Sequence, residues 1–142
     1  MTTFLLDVNV LIALSLPTHQ HHAAATDWFD VGRTWATTPL TEAGYLRLMV
    51  NPRVVGFEIG AAQALDALRT MRSLDGHVFL VDGTSLAEPA LDLAPMAGTR
   101  QVTDFHLVNL AATHALVFAT FDAGLRRTVT AADRRHVEVI DG

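Results

Sequence analysis

Apolar and polar positions change period repeatedly along the chain, and the changes predict alternating strands and helices. Thr3-Phe4-Leu5-Leu6 is a short apolar run ending at Asp7 and reads as a buried strand. An almost wholly apolar helical stretch follows from Val8 to Leu16, and Pro17 stops it. Thr18 is placed to cap a second helix reaching about Asp30, with Gly32 as its stop. Thr34 to Thr37 makes a second strand, and Pro39 opens a helix running to about Val50, where its missing N–H is harmless. Asn51-Pro52-Arg53 and the stretch from Gly56 to Gly60 read as a loop.

From Ala61, the apolar positions Ala61, Ala64, Leu65, Leu68 and Met71 follow helical spacing, with Gln63, Asp66, Arg69 and Arg72 turned outward. His77 to Val81 is a third strand, and a weak helix is expected over Ser85 to Leu93 despite Pro89. A helix from Thr103 or Asp104 to about His114 precedes a fourth strand, Val117 to Thr120. A short helix after Asp122 and a last strand, Val137 to Ile140, complete the pattern. Strands alternating with helices predict an α/β fold with a mostly parallel sheet of four to five strands. No repeat or linker interrupts it, so residues 1–142 are expected to form one domain.

Composition narrows the chemistry. The chain has no cysteine, which excludes disulfides, thiolate zinc sites and thiol nucleophiles. All ten basic residues are arginine, so there is no lysine for a Walker-type phosphate loop or a Schiff base. Its three serines (Ser15, Ser73, Ser85) lie outside any G-x-S-x-G elbow. No apolar run is long enough to span a membrane and no secretory signal is evident, so a cytoplasmic protein is expected. The net charge of −5 argues against a general RNA-coating protein, but not against a nuclease whose acids surround divalent cations.

Four acids are expected to meet. Asp7 ends strand one, Asp122 ends strand four, Glu42 lies in the first turns of the helix after strand two, and Asp104 opens the helix before strand four. Strand C-termini and helix N-termini share one rim in a right-handed α/β layout. Oxygen donors gathered there suit Mg2+ or Mn2+, and such ions can activate water against a phosphodiester. Each acid also has an ordinary explanation. Glu42 and Asp104 suit helix N-termini by charge, and Asp122 suits an N-cap. Asp7, wedged between Phe4-Leu5-Leu6 and Val8 to Leu14, is expected to be buried and therefore to need partners or a metal.

The run Leu5-Leu6-Asp7-Val8-Asn9-Val10-Leu11-Ile12-Ala13-Leu14 resembles the opening motif of PIN domains, in particular the VapC-type toxins of bacterial toxin–antitoxin pairs. Thr41-Glu42, Val102-Thr103-Asp104 through Leu110-Ala111, and Ala119-Thr120-Phe121-Asp122 match the later motifs in order and spacing. Pro17 to His22 with Trp28-Phe29 is similar to a subgroup of those toxins. The resemblance implies a PIN-like three-layer α/β/α sandwich and a metal-dependent endoribonuclease acting on RNA. It also implies homodimerisation and inhibition by a VapB-type antitoxin. Carried over by position, Asp7, Glu42, Asp104 and Asp122 are the catalytic and metal-binding quartet. Asn9 and Thr120 are the polar residues that orient carboxylates, although Asn9 also suits a plain helix start.

Two other readings compete. A phosphatase of the haloacid dehalogenase type needs a second aspartate where Asn9 stands, and a lysine the chain lacks. A PIN-fold binding module without nuclease activity would act only through a protein partner. Among the remaining residues, His19, His21 and His22 suit a solvated or interfacial role better than a metal site, and His106 is a weak candidate base. Arg47, Arg53, Arg100, Arg126 and Arg127 are candidate phosphate contacts, each with a solubilising surface as the plainer reading.

Overall fold

The computed structural model describes residues 1–141. Five strands, β1 (Thr3–Leu6), β2 (Thr34–Thr37), β3 (His77–Phe79), β4 (Val117–Thr120) and β5 (Val137–Val139), form one sheet in the order β3-β2-β1-β4-β5. Every pairing is parallel. Register places Phe4 between Trp35 and Val117, and Leu5 between Ala36 and Phe118. Alternate residues therefore face opposite sides. Phe4, Leu6, Trp35 and Ala119 join one apolar cluster, and Leu5, Ala36 and Phe118 join the other. Burial on both faces is the rule for parallel sheets and accounts for the short, continuously apolar strands.

The first face is covered by α1 (Val8–Ser15), α2 (His22–Phe29), α3 (Pro39–Met49) and α5 (Ala61–Arg72). The second is covered by α6 (Arg100–Thr113) and α7 (Ala123–Thr128). The result is a PIN-like three-layer α/β/α sandwich. Trp35, Tyr45, Phe105 and Phe118 are fully buried, each contributing about 1.5–3 kcal/mol by leaving water. The apolar character of α1 has an internal cause. Val10, Leu11, Ile12 and Ala13 are all buried within the protein. No helix among the described residues is long and apolar enough to cross a membrane.

Several boundaries differ from the sequence reading, each for a local reason. Thr18 caps no helix; α2 starts at His22, because the His19 ring accepts the His21 N–H and holds a turn instead (3.0 Å). Asn51-Pro52-Arg53, read as a break, opens the single turn α4 (Pro52–Val55), since the Asn51 side chain accepts the Arg53 N–H (3.0 Å). Ala61 and Leu65 face outward, leaving Ala64, Leu68 and Met71 as the inner stripe of α5. The turn from α5 into β3 presses on the start of β2. Gly76 has φ +82°, and a Cβ there would stand 2.8 Å from the Arg33 carbonyl oxygen, so only glycine fits.

The expected helix over Ser85–Leu93 is absent. Its amides are taken by side chains instead: Ala87 by Ser85, Ala90 by Asn109 of α6, and Asp92 by Asp133. The segment is an irregular strap clasped to the second face. Helix α6 begins at Arg100, earlier than expected, so Asp104 lies in its second turn and does not open it. Strands β3 and β5 end at Phe79 and Val139, although Leu80 and Ile140 each extend the ladder by one bond, to Thr37 and Thr120.

Candidate active site

The order β3-β2-β1-β4-β5 places β2 and β4 on opposite sides of β1, so the chain direction across the sheet reverses between β1 and β4. Crevices at such switch points, beyond the strand C-termini, are where α/β sheets bind ligands. Asp7 stands at this point. Its N–H donates to the Ala119 carbonyl (3.0 Å), carrying the ladder one residue past β1, and its side chain is buried beneath the rim. Asp122 follows β4 by two residues, is exposed, and caps α7 by accepting the Leu125 N–H (3.1 Å).

One hydroxyl ties the two together. Thr120 donates to Asp7 Oδ2 (2.7 Å) and accepts the Asp122 N–H (3.1 Å). Asp104, half-buried in α6, feels both acids: burial, then the charges of Asp7 and Asp122, push its carboxyl up to about 6. Burial also raises Asp7. The Thr120 hydroxyl and the Val8 and Asn9 amides oppose that rise, and the charge of Asp122 adds to it. The Asn9 side chain is exposed on the rim, so the residue acts on Asp7 through its backbone.

Glu42 is anchored at the end of β2, the strand beside β1. Its Oε2 accepts the Thr37 hydroxyl (2.6 Å) and lies 3.6 Å from Arg72 Nε. The Thr37 proton is committed to that carboxylate, so His77 Nε2, at 2.8 Å, must donate to Thr37 Oγ1. Burial, followed by the charge of Arg72, keeps the His77 ring below its ordinary range, which fits a neutral Nε2–H ring. Thr37, Arg72 and His77 escaped the sequence reading. Arg72 had been assigned to a solvent face, and only the pairing of β2 with β3 brings His77 to Thr37. His106 is spent on Asp82, which its Nε2 contacts (2.5 Å). The His22 Nδ1 contacts the Ala13 carbonyl (2.7 Å), and the His21 ring stacks on Phe121 at 4.5 Å.

The chemistry of this rim favours a cation. The ion pairs among the described residues join Arg69 to Asp66 and Arg72 to Glu42, His106 contacts Asp82, and none of these involves Asp7, Asp104 or Asp122. Those residues form no ready-made cage of three or more metal-ligating side chains. That is compatible with magnesium, which takes one or two carboxylates and completes its shell with water and substrate phosphate. Asp7, Asp104 and Asp122, whose charges act on one another across the rim, are the side chains that could hold such an ion.

A doubly wound parallel sheet with uncompensated carboxylates at its switch point defines a class of α/β domain built around acidic chemistry. The PIN domain pattern matches residues 4–130, and the chain belongs to the PIN-domain family. It is 43% identical to ribonuclease VapC38 of Mycobacterium tuberculosis, over 96% of each chain. It is 46% identical to ribonuclease VapC39 of the same organism, over 91% of this chain and 95% of that one. Ribonuclease VapC29, also from that organism, is 40% identical over 87% of this chain and 88% of its own.

Proposed function

We propose that the protein is a Mg2+- or Mn2+-dependent endoribonuclease, the toxin of a type II toxin–antitoxin pair. The observation that carries this reading is the gathering of Asp7, Asp104 and Asp122 on a PIN fold with no ion pair to any of them among the described residues. Near-full-length similarity to proteins named as VapC ribonucleases supports it. A binding module without nuclease activity leaves the cost of holding these charges together unexplained.

In this reading Asp7, Asp104 and Asp122, with Glu42 from the family pattern, hold the metal. When bound, the metal activates water and stabilises the leaving oxygen of an RNA phosphodiester. Thr120 fixes the Asp7 carboxylate by its hydroxyl and the Asp122 backbone by its lone pair, so one side chain sets the spacing of two ligands. Asn9 lends its amide to the same carboxylate. Thr37 and Arg72 restrain Glu42.

The whole chain acts as one PIN domain in the cytoplasm. It forms homodimers, for which exposed Leu40, Val50, Val54 and Phe57 on and beside α3 and α4 supply apolar surface. A VapB-type antitoxin blocks the rim.

Purified protein should cut single-stranded RNA with magnesium or manganese and stop on addition of EDTA. Persistent cleavage in EDTA would refute the metal assignment. Thr120→Val should lower cleavage about 10–100-fold and weaken metal binding in calorimetry, as loss of an orienting partner does. Unchanged metal affinity would remove Thr120 from the site.

A further inference from the structure

A groove along the β5 edge of the sheet is lined by arginine. Arg126 and Arg127 of α7, and Arg134 and Arg135 of the 3-10 turn Asp133–His136, flank a cleft of about 830 Å³ that runs past β5 to Asp141. Four of the ten basic residues thus meet in one place, in a chain of net charge −5. None of the four has an ion pair among the described residues. Two acids border the cleft. Asp141 is exposed at its end, and Glu138 accepts the Trp28 indole N–H (2.6 Å).

Three of the four guanidinium groups are positioned by the backbone. Arg126 Nε donates to the Val137 carbonyl, Arg134 donates to the carbonyls of Arg126 and Arg127, and Arg135 donates to that of Ala132. An arginine has five N–H donors, so these tethers fix direction and leave most of each fork free. Ordering such a side chain in advance lowers the entropy lost on binding. Planar forks of this kind match phosphate oxygens.

One end of the groove comes close to Asp122, and the other reaches Thr2, Phe4 and Val117 at the far ends of β1 and β4. Ala123, which lines it, directly follows Asp122. A Cβ on Gly124 would stand 3.0 Å from Asp122 Oδ1 and 3.7 Å from an Arg127 guanidinium nitrogen, so acid and arginine flank one glycine.

We propose that Arg126, Arg127, Arg134 and Arg135 form a phosphate track that holds a single RNA strand on the β5 side of the cut. The inference rests on the nuclease reading above. The nearness of Arg127 to Asp122 about Gly124 favours RNA over an acidic protein segment, because a strand held there by its phosphates lies with its backbone beside that carboxylate. The contacts are to the backbone and carry no sequence preference.

The test is fluorescence anisotropy of a labelled 12-nucleotide single-stranded RNA with the full chain in EDTA, titrated with KCl. Each phosphate contact on a single strand contributes about 0.7 to the slope of log affinity against log salt. The double variant Arg127→Gln/Arg135→Gln should bind about tenfold more weakly at low salt, with a slope shallower by roughly 1.4. Arg127→Lys/Arg135→Lys should keep the slope, and both variants should melt like the parent because these side chains are exposed.

An unchanged slope in the Gln variant, or no RNA binding by the parent, overturns the track. So does displacement of the RNA by an oligoglutamate of equal charge more readily than by unlabelled RNA, which would make the groove a site for an acidic protein segment. Cleavage by the parent in magnesium is scored separately. A protein that cuts RNA but fails these binding tests loses the groove and keeps the nuclease.

Discussion

Replacing Asp7 by Asn should lower RNA cleavage by more than about 100-fold while leaving the protein folded. Asn keeps the shape of the side chain and an oxygen to accept the Thr120 hydroxyl, whose bond to Asp7 Oδ2 is 2.7 Å. It removes the one anionic group that is both buried and central to the rim. Partners that only orient a ligand cost 10–100-fold when lost, and a ligand itself should cost more. Circular dichroism and gel-resolved cleavage at saturating manganese measure both halves of the expectation. An Asp7→Asn protein that cuts at the parental rate would end the assignment of Asp7 to the metal.

Asp104 carries the second large effect, and it has opposite signs for stability and activity. Burial and the charges of Asp7 and Asp122 raise its carboxyl from 3.8 to about 6 in the folded protein. Between those values the folded chain holds a proton that the unfolded chain has lost, so stability falls as pH rises through the window. The full penalty is present at pH 7. Allowing for the half-exposed position of this side chain, it amounts to about 1–2 kcal/mol.

Asp104→Asn should therefore raise the melting temperature of the metal-free protein by roughly 3–6 °C at pH 7, and hardly at all at pH 4. Cleavage should collapse in the same variant. Magnesium should stabilise the parent at pH 7 by offsetting the same repulsion, and should stabilise Asp104→Asn much less. Calorimetric melts in EDTA and in magnesium decide the matter. A variant less stable than the parent at pH 7 would mean that Asp104 is not strained by its neighbours.

Much of this architecture was legible because parallel strands buried on both faces write themselves as short apolar runs. Thr34 to Thr37 and Val117 to Thr120 were found with their true limits for that reason. Asp7 was conspicuous as a charge enclosed by such a run. Where side chains replace backbone partners, the sequence misled. Nothing near Ala90 or Asp92 announces that Asn109 and Asp133, 19 and 41 residues on, would take their amides. Glu42 is a second case. Its place in the helix after β2 was predicted, but its engagement by Thr37 and Arg72 depends on α5 packing beside α3. The arginine groove was half seen. Arg126 and Arg127 had been noted, whereas Arg134 and Arg135 join them only because a 3-10 turn folds back along α7.

The hydroxyl bond between Thr120 and Asp7 spans 113 residues of chain. During synthesis Asp7 is made long before the hydroxyl that holds its carboxylate. A nascent or truncated chain ending before Val117 lacks Thr120 and Asp122 altogether. The rim is therefore complete only when two distant stretches of the chain are both present and paired through β1 and β4.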